Sequence, residues 1–117
     1  MRTSHTRFAI LCVVAASAAC SRTTYSLMQT GIITSRATYS RLPAMFVIDD
    51  TNFSREPCRH GTQFTFSPNI RVVRDNGARA DTGALTLGRR VSVFISEGTL
   101  ILQSCPPITV AARVVIY

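Results

Sequence analysis

Few side chains here could do bond-making chemistry. Past Ser21 the chain holds one histidine, His60, and two cysteines, Cys58 and Cys105. Cys58 and His60 would form a thiol nucleophile and its base, with the imidazole taking the proton of the attacking sulfur. That chemistry needs a reduced sulfur, and an oxidised Cys58 cannot attack. As zinc ligands, Cys58, His60 and Cys105 supply three donors, and no second Cys-x-x-Cys completes a closed site. Asp49 and Asp50 could hold a cation together, yet neighbouring residues of a strand point to opposite faces, which suits solvated turn residues better. No glycine-rich phosphate loop is present. The expectation is a non-enzymatic protein with no catalytic residue, no metal and no cofactor.

Charge is the stronger functional hint. All 13 basic residues are arginine, against six acids, for a formal charge of +7 over 117 residues. Arg71, Arg74 and Arg79 crowd around the turn sequence Asp75-Asn76-Gly77, and Arg89-Arg90 open the next strand. Arg71, Arg74, Arg89 and Arg90 are the candidate anion-binding residues; the competing reading makes them solvated faces.

The N-terminus reads as an export segment. Arg2 and Arg7 form a basic start, Phe8 to Ala16 an apolar stretch, and "ASAAC" a small-residue end. The apolar run is too short to span a bilayer, which takes about 20 residues. Residues 1–19 are expected to be a signal peptide, cut before Cys20. "Ser-Ala-Ala-Cys" resembles the bacterial lipobox, with Ser17 in place of the usual leucine, so Cys20 is the expected lipidation site. Plain secretion with a free Cys20 is the alternative. Processing discards Cys12 and leaves three cysteines in an oxidising compartment, where an odd thiol is a liability. Acylation of Cys20 resolves the oddness and leaves Cys58 and Cys105 as an expected disulfide. Closing that loop would contribute about 4 kcal/mol in the chain-entropy model.

The elements that must position these residues are strands. Residues 20–26 are polar and read as a tether, with a β-domain over 27–117. "LMQTGIITSRATYS" is β-rich around Gly31, where a kink or bulge is expected. "AMFVIDDT" is a short apolar strand. In "TQFTFSPNIRVVRDNG", Phe64 and Phe66 share a face, Pro68 breaks the ladder, and Ile70 and Val72 resume it before the turn. "RRVSVFIS" sends Val91, Val93 and Ile95 one way. Glu97-Gly98 reads as a turn, with "TLILQS" as a return strand. In "ITVAARVVIY", Ile108, Val110, Ala112, Val114 and Ile116 fall on one face of a last strand that needs a partner. "DTGALTLG" has room for one helical turn. Pro106 and Pro107 lack amide protons and bend the chain after Cys105. Five or six strands in fewer than 100 residues suggest a small barrel or sandwich.

Residues 85–117, "LTLGRRVSVFISEGTLILQSCPPITVAARVVIY", resemble the YobA-like family of small bacterial secreted proteins and lipoproteins of unknown function. Leu85 or Leu87, Gly88, Val91, Val93, Gly98, Ser104, Pro106, Ala112 and Val115 fit its closing pattern, and "FTFSPNIRVVRDNG" resembles the strand before it. Gln103 and Cys105 depart from it, standing where the family has glutamate and tyrosine. The resemblance implies an OB-like β-barrel, so the expected fold is all-β, a five- to six-stranded OB-like barrel. On such a barrel, arginines beside Phe64 and Phe66 would make a groove for single-stranded nucleic acid, bases stacking on the rings; alternatively both rings are core. Outside the cytoplasm, lipopolysaccharide phosphates or anionic headgroups are the expected partners ahead of nucleic acid. The leading expectation is a lipid-anchored cell-envelope protein, in the periplasm or at the outer membrane, with a binding or structural role. A soluble periplasmic module that binds an anionic ligand is the alternative.

Overall fold

The computed structural model describes residues 24–39, 41–49 and 60–117. The expected signal peptide, Cys20, Asp50 and Cys58 lie outside the described residues. The described chain forms β1 (Tyr25–Tyr39), β2 (Leu42–Ile48), β3 (Gly61–Arg74), the short β4 (Arg79–Ala80), β5 (Arg90–Ser96) and β6 (Ile108–Ile116). They lie in the order β2-β1-β5-β6-β3-β4, and β2 also pairs with β3. That last pairing closes five strands into a barrel, with β4 as an extra strand beside β3. All neighbours run antiparallel except β3 and β6. A small OB-like barrel is the expected architecture, and this one is consistent with it.

β1 serves two partners because it bends. Its first half pairs with β5, from Tyr25↔Ser96 to Ile32↔Arg90. Its second half pairs with β2, from Ile32↔Ile48 to Tyr39↔Leu42. The ladder shifts register between Leu27 and Gln29 and again between Ile33 and Ser35, on either side of Gly31. A Cβ on Gly31 would run into the Ile48 carbonyl, so the close approach of β2 requires glycine. β1 also takes in Tyr25 and Ser26, the last two residues of the expected tether.

The core is an inward stripe from every long strand: Ile33, Met45, Val47, Phe64, Phe66, Val72, Val91, Val93, Val114 and Ile116. The connection from β4 to β5 plugs it. Asp81 caps a single 3₁₀ turn, Thr82–Ala84, by accepting from the Gly83 amide. Leu85 follows with no exposed surface. Arg36 ties this plug to β1 by donating to the carbonyls of Leu85 (2.6 Å) and Thr82 (3.1 Å).

Two strand expectations need correcting. "TLILQS" is no return strand; its one ladder contact is the bridge Leu102↔Ile108. β5 has β1 on one edge and β6 on the other, so no edge remains for Thr99–Ser104 to join. The inward face of β6 also changes phase. Thr109 and Ala111 are buried at its start, Val110 points out, and Val114 and Ile116 are buried further on. The change coincides with the register shift between Phe66 and Arg71 on β3, at Pro68. A shift of one residue moves a strand's side chains to the other face.

Candidate functional site

The turn after β3 builds one side of an open cleft. Gly77, at φ 88°, lets the chain reverse, and the Arg74 amide donates to the Ala78 carbonyl at 2.8 Å. The Ala78 amide donates to Asn76 Oδ1 at 2.9 Å, which fixes the corner. β4 then lies beside β3 with Arg79 opposite Val73. Tyr25, Asn69, Ile70, Arg71, Val73 and Arg79 line a cleft of about 650 Å³ there. Arg71 and Arg79 are exposed, and neither has an acidic partner among the described residues.

The arginine field continues across the barrel. Arg71 stands opposite Arg113 in the parallel β3–β6 ladder. Arg113 lies over the Phe94 ring, 5.8 Å from its centre, and Arg90 over Tyr117 at 5.9 Å. In such contacts the ring quadrupole attracts the guanidinium to the aromatic face. Beneath Arg90, Ser92 is buried and joined to Thr30 Oγ1 at 2.8 Å and to the Tyr117 hydroxyl at 2.9 Å.

The four arginines expected to bind an anion do not form one pocket. Arg71 lines the cleft. Arg74 is exposed at the end of β3. Arg89 is half-buried, its backbone bonded to Ile33 and Thr86. Arg90 sits at the start of β5, two strands from β3, stacked on Tyr117. The reading of the sequence missed Tyr25 and Arg113. Their partners are 46 and 42 residues away along the chain (Tyr25 with Arg71, Arg113 with Arg71), and no local pattern links them. The nucleic-acid groove on Phe64 and Phe66 is overturned. Both rings are buried in the core, so neither can stack on a base. Arg36 covers the edge of this core, 5.0 Å from the Phe66 ring centre.

A second, smaller hollow lies where β3 begins. Met28, Gln29, Asp49, His60, Thr62 and Pro107 line about 320 Å³. Gln29 organises it. Its amide donates to the carbonyls of His60 (2.9 Å) and Val47 (3.2 Å), and its oxygen accepts from Thr62 Oγ1 at 2.5 Å. The Gln63 amide reaches across to the Pro107 carbonyl at 2.9 Å. His60 and Pro107 therefore share a wall, though they come from different loops. Cys105 is exposed at the corner before Pro106. Among the described residues no three His, Cys, Asp or Glu side chains converge as a metal site. Compared with family models, with curated proteins and with solved structures, the chain finds no match.

Proposed function

We propose that this is a YobA-like envelope protein, exported by residues 1–19 and acylated on Cys20, whose OB-like barrel has a non-enzymatic binding or structural role. The observation that carries this reading is the meeting of two loops. His60 and Pro107 share a hollow. Cys58 and Cys105 each lie two residues from that wall, about 7 Å of extended chain at most. A Cys58–Cys105 cystine would join the loops there, and disulfides persist outside the reducing cytosol. Cys20 lies five residues before β1, so an acyl anchor would hold the barrel close to a membrane. Intact mass of the protein purified from bacterial envelopes tests the reading. Wild type should carry a diacylglyceryl group that Cys20→Ala loses; an unmodified wild type refutes it.

The exposed guanidinium groups of Arg71 and Arg79, with no acidic partner among the described residues, favour a second reading, a soluble periplasmic module for an anionic ligand such as lipopolysaccharide phosphate or another polyanion. Single-stranded nucleic acid stays in that class through its phosphates alone. A thermal-shift screen against polyanions should then raise the midpoint, with the rise fading as salt increases. No shift with any of them removes this reading.

A further inference from the structure

Two features meet where β1 begins. The Thr24 carbonyl accepts from the Glu97 amide at 3.0 Å, which places the start of the described chain beside loop 97–107. Leu100 and Leu102, three and five residues further on, are 88% and 60% exposed, and Val110 of β6 is 39% exposed. Leu102 bridges Ile108, and Thr109 Oγ1 donates to the Leu100 carbonyl at 2.9 Å, so both leucines lie against the start of β6. On another side of the same point, Tyr25 lines the cleft with Arg71 and Arg79. Cys20 and Thr24 are four residues apart, so no more than about 14 Å of chain separates them.

We propose that this end of the barrel docks on an anionic bilayer. Leu100 and Leu102 enter the boundary between headgroups and acyl chains, and Arg71 and Arg79 hold lipid phosphates. The orientation rests on the anchor reading above, which brings this end to the membrane. A diacylglyceryl group has two chains and is a sufficient tether by itself. Docking therefore orients the barrel on the membrane. Exposed apolar side chains, and cations with no acidic partner among the described residues, near the start of β1 match an interface whose phosphates lie above its hydrocarbon.

The test uses unacylated Cys20→Ala protein and vesicles, either of phosphatidylcholine or of phosphatidylcholine mixed with phosphatidylglycerol. Binding is expected only to the mixed vesicles. Arg71→Gln and Arg79→Gln should each weaken it roughly fivefold, from about 1 kcal/mol per arginine at a charged surface. Leu100→Ser or Leu102→Ser should cost roughly tenfold, the scale of one buried leucine. Arg41→Gln, in the β1–β2 turn, should cost less than twofold. Equal binding to both vesicle types overturns the proposal. So does an Arg41→Gln loss as large as that of Arg71→Gln, which would make net charge the sole cause. Displacement by inorganic phosphate beyond that by chloride of equal ionic strength also overturns it, by making soluble phosphate the ligand. The anchor is read separately, by mass: an unacylated wild type whose Cys20→Ala form still selects phosphatidylglycerol refutes the anchor and supports the docking face.

Discussion

Two glycines show how one atom's space decides a residue's tolerance. A Cβ at Gly31 meets the backbone carbonyl of Ile48, which cannot move without separating β1 from β2. At Gly61 the obstacle is the Phe46 ring, a side chain that can turn away. Gly31→Ala should therefore destabilise by about 3 kcal/mol, the upper range of overpacking, and Gly61→Ala by about 1 kcal/mol. Urea denaturation ranks them, and the reverse order would contradict the packing described. Gly31 was legible in the sequence as a kink. The reason for it, the approach of residue 48, was not.

Loop 97–107 illustrates how an element's identity depends on its neighbours. "TLILQS" has the composition of a strand, with Leu100, Ile101 and Leu102 in a row. It does not become one, because both edges of β5 are occupied and β6 lies between β5 and β3. Leu100 and Leu102 are consequently outside the core. Leu100→Ser and Leu102→Ser should each change folding stability by under about 0.5 kcal/mol, as surface substitutions do. A loss of several kcal/mol in thermal or urea unfolding would return the segment to the barrel wall. The same measurement certifies these variants as folded for the vesicle experiment. β1, β2, β3 and β5 were legible as strands, because their alternation and turn residues agree with the sheet they join.

For the whole molecule, the proposed Cys58–Cys105 link is the long-range constraint. It would span 46 intervening residues and, with them, all of β3, β4 and β5. Replacing Cys105 by serine should cost about 4 kcal/mol relative to the oxidised protein. Non-reducing peptide mapping should recover the peptides of Cys58 and Cys105 as one mass. A bond from Cys105 to Cys20 instead would remove both the cystine assignment and the acyl anchor.

Local patterning alone determined that the described chain is all-β, where it turns, and that Gly31 and Pro68 interrupt their strands. These features depend on neighbours along the chain, through period-two alternation and the restricted backbones of glycine and proline. Barrel closure decided the rest. It buried Phe64 and Phe66, left Thr99–Ser104 without an edge, shifted the inward face of β6, and brought Tyr25 to Arg71 and Arg79. Which edge is free, and which face is inside, are properties of strands far apart in sequence, so no window of adjacent residues contains them.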